Sequence, residues 1–122
     1  MSVEMQILEN LKTKENEMVA LLKEFTNTDS PSTDKILMDR FAELVAEKWK
    51  TTGAKVSVVP QEKRGNHVKV EWGTGSESIL LLCHMDTVWD NGETARRPFT
   101  IKDGKGYGPG SYDMKAGIVQ AI

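Results

Sequence analysis

Residues 78–89 read SILLLCHMDTVW. Ile79 to Cys83 is an unbroken run of apolar or weakly polar side chains that ends on His84, and Asp86 follows two places later. A run without alternation predicts a strand covered on both faces of a sheet. In an open α/β sheet, functional groups gather outside the carboxyl ends of the strands, so an imidazole and a carboxylate at a strand tip are placed for chemistry. If the chain stays extended past Cys83, His84 and Asp86 project to the same side. The Asp86 carboxylate can then accept a hydrogen bond from one ring nitrogen, which leaves the other as a lone-pair donor for a metal. A plain polar strand exit into a turn would use the same letters, and His-x-Asp alone is too short to decide between them.

Upstream, residues from about Val3 to Phe25 read as one helix, with Leu8, Leu11, Met18, Leu22 and Phe25 on a single face that only Glu15 interrupts. The stretch TNTDSPS, 26–32, breaks that pattern. Ser30 before Pro31 reads as the start of a second helix, the serine capping free N–H groups and the proline in the first position. That helix carries Leu37, Phe41, Leu44, Val45 and Trp49 on one stripe and ends near Gly53. Val56 and Val58, then Val68, Val70 and Trp72, alternate with polar neighbours as half-buried strands do.

Downstream, Phe99 and Ile101 alternate again, and Asp103-Gly104 is a two-residue hairpin signal leading to Tyr107. The glycine-rich GYGPGS then delivers Asp113 to the predicted start of a last helix, DMKAGIVQAI. At such a position the helix dipole favours an ionised carboxylate. An ionised carboxylate is a hard oxygen ligand, and its two oxygens can bridge two cations about 3.5–4 Å apart. An aspartate there also serves simply as a cap. The element order predicts an α/β fold, a mixed β-sheet covered by helices.

The totals narrow the classes of function. At 122 residues the chain is one domain at most. Sixteen Lys and Arg against eighteen Asp and Glu leave no basic field for a nucleic acid. No stretch approaches the ~20 apolar residues that span a bilayer, so no membrane partner is expected. Acidic residues from Glu4 onward leave no signal-peptide h-region, which makes a cytoplasmic protein the default. Cys83 is the only cysteine, and its place in the apolar run predicts a buried, inert thiol. His67, in KRGNHVKV, reads as a solvent-facing strand residue.

Taken together, LLLCHMDTVW and PFTIKDGKGYGPGSYDMKAG resemble the first half of the catalytic domain in the aminoacylase/carboxypeptidase family of dinuclear zinc hydrolases. The nearest group is the bacterial glutamate carboxypeptidases, of carboxypeptidase G type. The matching elements are His84, Asp86, Pro98-Phe99, Gly108, Gly110, Asp113, Lys115 and Gly117, about forty residues in the right order. The resemblance implies that His84 binds one Zn2+ and Asp113 bridges two, with Co2+ or Mn2+ as substitutes. It implies that Asp86 is the catalytic-site residue that orients His84 without binding metal. A cis peptide often follows the bridging aspartate in that family, although the next residue, often Asp there, is Met114 here. The implied reaction is hydrolysis of an amide bond next to a free carboxylate, in a small peptide or N-acyl amino acid.

The family also uses a Glu-Glu pair, a further acidic ligand and a late histidine, and none of them occurs in these 122 residues. Two ligands fall short of the three that ordinarily hold a catalytic zinc. The expectation is therefore an incomplete N-terminal portion of a catalytic domain, without the lid and dimerisation domain or the C-terminal half, and inactive alone. The alternative is a short non-catalytic binding or assembly module that keeps part of the hydrolase fold. On either reading an exposed sheet edge invites self-association. Trp89, Arg96 and Arg97 lie near the site in sequence and are given no role.

Overall fold

The computed structural model describes all residues, 1–122, and its architecture is α/β. Helix α1 spans Val3–Thr13 and α2 spans Glu15–Thr26. Helix α3, Lys35–Lys50, is followed by the antiparallel strands β1, Lys55–Val59, and β2, His67–Glu71. A short helix α4, Glu93–Arg96, leads to the hairpin of β3, Thr100–Lys102, and β4, Lys105–Tyr107. A π-helical turn at Ser111–Lys115 runs into α5, Ala116–Ala121.

The core forms where the apolar stripes of α2, α3 and α5 meet. Phe25, Phe41, Val45, Ile118 and Val119 are its buried centre, and Leu22, Leu44, Trp49 and Ile122 pack around it. Phe25 and Phe41 meet edge to face with ring centroids 5.3 Å apart. Such a pair adds about 0.5–1.5 kcal/mol to the burial of its area. The β1–β2 hairpin lies on α3, pairing Val56 with Val70 and Val58 with Val68 as the alternation requires. In the second hairpin Asp103 and Gly104 both take positive φ, 52° and 73°, which is the two-residue turn that Asp-Gly predicts.

Several expectations are corrected. The first helix is two, because Lys14 leaves helical geometry (φ −101°, ψ 3°) and its N–H turns back to Leu11. The joint adjoins Glu15, the residue that interrupted the stripe, and no residue of α1 is buried against a partner that would hold the two straight. Ser30 is not a helix cap. Asp34 is, its side chain accepting from the Leu37 N–H at 3.0 Å. Residues 30–32 are committed elsewhere: Thr87 donates to the Ser30 carbonyl at 2.8 Å and accepts from the Ser32 N–H at 3.0 Å.

Ile79–Cys83 is not a buried strand. It makes no backbone ladder, and Ile79, Leu80, Leu81 and Leu82 are 68–91% exposed. The strands form two separate antiparallel hairpins instead of one mixed sheet, so nothing lies beside this run to pair with it. The only parallel contact is the bridge between Pro31 and Thr87. Cys83 is accordingly exposed, not buried.

One lysine joins core to site. Lys115 is 1% exposed, and its Nζ donates to the carbonyls of Phe25 at 2.8 Å and Thr28 at 2.7 Å. It lies 4.4 Å from the centre of the Phe41 ring. Burial pushes its pKa down to about 8, with the Asp29 charge opposing, so the ammonium stays protonated at neutral pH. A positive charge at the end of α2 also suits the negative end of the helix dipole. Only 15 of the 122 residues are buried, so the core has little reserve. Phe41→Ala removes about 3–5 kcal/mol, a large share of the roughly 5–15 kcal/mol that holds a domain folded. Thermal melting followed by circular dichroism is expected to lose its cooperative transition in this variant; an unchanged midpoint would refute the assignment of the core.

Candidate metal centre

The end of the apolar run brings His84 and Asp86 beside one another. His84 Nδ1 lies 3.0 Å from the Asp86 carbonyl oxygen and 3.2 Å from Asp86 Oδ1. A carbonyl oxygen only accepts, so Nδ1 carries the proton in this arrangement. The opposite nitrogen, Nε2, faces Asp113 Oδ1 at 2.7 Å across 29 residues of sequence. The backbone N–H of His84 meets the Met114 sulfur at 3.2 Å. All three candidate residues thus meet at one place, on the wall of an open cleft of about 340 Å³.

The loop that brings Asp113 here needs its glycines. A Cβ on Gly110, which has φ +72°, would stand 2.5 Å from the Thr87 methyl, and one on Gly108 would stand 2.4 Å from the Thr26 methyl. The loop therefore lies directly against the residue after Asp86 and against the end of α2. Lys115 N–H donates to the Gly110 carbonyl at 3.0 Å and closes the turn. The peptide between Asp113 and Met114 is cis. Asp113 itself is not at a helix start, as α5 begins only at Ala116. The chain kinks at Asp113 and Met114 before the helix, and the Asp113 side chain is left 81% exposed.

Electrostatics follow the contacts. The hydrogen bond to Asp113 raises the His84 pKa above its ordinary 6.5, against a smaller desolvation effect, and the Asp86 contacts act in the same direction as Asp113. The Ser32 hydroxyl donates to Asp86 Oδ2 and holds that carboxyl below the usual carboxylate range, with His84 adding to the effect. Ser32 is a site residue that the local motif did not reveal, since it lies 54 positions away in the sequence.

Neighbouring residues are occupied elsewhere. Glu93 pairs with both Arg96 and Arg97, and Arg97 sits 4.2 Å from the centre of the Trp89 ring. His67 is exposed on β2, opposite Val59. As a donor set, an imidazole nitrogen and a carboxylate oxygen suit zinc in kind. In number they fall short, for no third His, Cys, Asp or Glu completes a ligand cluster.

Residues 80–122 match the model of Peptidase family M20/M25/M40. A stretch of 45 residues is 47% identical to Carboxypeptidase G2 of Pseudomonas sp. (strain RS-16). That stretch takes in 37% of this chain and 11% of the relative's length. The resemblance read from the motifs is thus borne out over the segment that carries His84, Asp86 and Asp113. No helix is long and apolar enough to cross a membrane.

A raised folded-state pKa means that the His84–Asp113 pair stabilises the metal-free fold fully below the unfolded value, and that this is lost as pH rises through the folded value. Titration of the metal-free chain by NMR is expected to place His84 above its ordinary value, with Asp113→Asn bringing it down. Coincident His84 curves in the two proteins would show that the pair does not form.

Proposed function

We propose that these residues are the first two metal ligands of a hydrolase that cleaves an amide or peptide bond next to a free carboxylate, as a carboxypeptidase or aminoacylase does. The observation that carries the reading is the 2.7 Å approach of His84 Nε2 to Asp113 Oδ1, within the segment that matches the peptidase family. In this reading His84 Nε2 and the Asp113 carboxylate would hold Zn2+, with Co2+ or Mn2+ as substitutes. Asp86 keeps the His84 ring turned with Nδ1–H inward and Nε2 outward. Asp113 stands exposed on the cleft wall, with Oδ1 turned toward His84 Nε2. When bound, the metal would supply Lewis-acid polarisation of the scissile carbonyl and activation of the attacking water.

The remaining ligands and the general base come, on this proposal, from further parts of a longer polypeptide, including a lid domain and a C-terminal half of the catalytic domain. The 122 residues alone bind metal weakly and do not turn over. Substrates are small peptides or N-acyl amino acids, and the compartment is the cytoplasm. A second reading, a non-catalytic assembly module, draws on the exposure of Ile79–Leu82. Unpaired, uncharged edges of this kind recruit other strands. Sedimentation of the purified chain across a concentration series tests it, and a constant monomer would exclude it.

For the hydrolase, the direct test is expression with whatever coding sequence follows Ile122. Zinc-dependent release of free amino acid from N-acyl substrates is expected, and His84→Ala is expected to lower it at least ~10²-fold while leaving the melting temperature of the metal-free protein within a few degrees. Unimpaired turnover in that variant would remove the ligand assignment.

A further inference from the structure

We infer that Ser32, in the loop between α2 and α3, is a positioning residue for the metal centre, acting on His84 through Asp86. The inference takes its meaning from the proposed function, but it stands on contacts that exist without metal. The Ser32 hydroxyl has one proton and two acceptors within reach, Asp86 Oδ2 and, at 3.0 Å, the Thr87 carbonyl. The Thr87 carbonyl already receives the Ser32 backbone N–H at 3.0 Å. A carboxylate is the stronger acceptor, so the hydroxyl proton goes to Asp86.

With Oδ2 held by Ser32, Oδ1 is the oxygen left to face His84 Nδ1, and it does so at 3.2 Å. Neither oxygen can swing away without breaking a bond. The chain of contact therefore runs from Ser32 Oγ through the Asp86 carboxylate to Nδ1–H, and leaves Nε2 directed at Asp113 Oδ1. The backbone makes this chain rigid. Thr87 N–H binds the Ser30 carbonyl at 2.8 Å, and Pro31 and Thr87 form a parallel bridge, so the serine is fixed to the same short stretch whose side chain it holds. Half-burial of Ser32 and Asp86 limits competition from water.

Removing the hydroxyl leaves the backbone bridge in place. Ser32→Ala therefore separates holding the fold from holding the carboxylate. The readout is the tautomer of His84 in the metal-free, 15N-labelled chain carrying Asp113→Ala, which removes the carboxylate that otherwise holds a proton on Nε2; it is read from the two ring-nitrogen shifts at the pH where they cease to change. With Ser32 in place Nδ1–H is expected to predominate there. In Ser32→Ala the Nε2–H form is expected to gain about fivefold relative to it, the worth of one net hydrogen bond. Ser32→Thr, which keeps the hydroxyl, is expected to restore the original ratio.

A lower melting temperature with an unchanged tautomer ratio in Ser32→Ala would mean a structural role only and would overturn the inference. If that variant does not fold, the Ser32 hydroxyl proton of the unaltered chain decides. Slow exchange with water and a cross-relaxation contact to the Asp86 methylene support the inference, and free exchange defeats it. None of these readouts depends on turnover, so the hydrolase reading can fail while the positioning role stands, and the reverse.

Discussion

The loop between α2 and α3 is the constraint on which the rest of the molecule depends. Within Asn27–Ser32 several polar groups are committed to distant segments of backbone. Asn27 accepts from the Phe99 N–H at 2.7 Å, and Asp29 accepts from the N–H groups of Gly92 and Thr94 at 2.8 and 3.2 Å. Ser30 and Ser32 hold Thr87, and the Thr28 carbonyl receives Lys115. Residues 86–99 contain no secondary structure beyond the four-residue α4, so these bonds substitute for a ladder. An unpaired backbone amide in such a segment would cost about as much as a lost hydrogen bond. Side chains from one loop answer several of them.

That arrangement explains how two residues 29 apart meet. The loop fixes Thr87, which sets the position of Asp86 and through it His84. Lys115 ties the opposite segment to the same loop and to the end of α2, so Asp113 arrives from the other side. Gly108 and Gly110 allow the second segment to approach Thr26 and Thr87 closely. The site is the junction of two segments that share one anchor. The apolar run that precedes it has no such anchor, and Ile79–Leu82 stay exposed.

Much of this was legible in local pattern. The stripe of α3, the alternation of Val56, Val58, Val68 and Val70, and the Asp103-Gly104 turn each depend on residues close in sequence, and each appears where expected. His84, Asp86 and Asp113 could be singled out because linked motifs in the right order are specific, and the structure brings their side chains together. What local pattern missed is long-range. Ser30-Pro31 looked like a helix start because the partner that claims it, Thr87, is more than fifty residues away. An apolar run such as Ile79–Cys83 specifies burial only if neighbours exist to cover it, and periodicity cannot supply them. Ser32 carries no signal of its own; its role exists only once folding sets it against Asp86.

The central claim is that the approach of His84 to Asp113 creates a place where a divalent cation settles. Titrating the labelled chain with Mn2+ and following paramagnetic broadening measures this directly, because it reports weak sites as well as tight ones. The account predicts broadening centred on His84 and Asp113 at the lowest metal concentrations, lost when either side chain is replaced by alanine. Broadening that begins at His67 or along the acidic faces of α1 and α2, and that ignores both replacements, would contradict it.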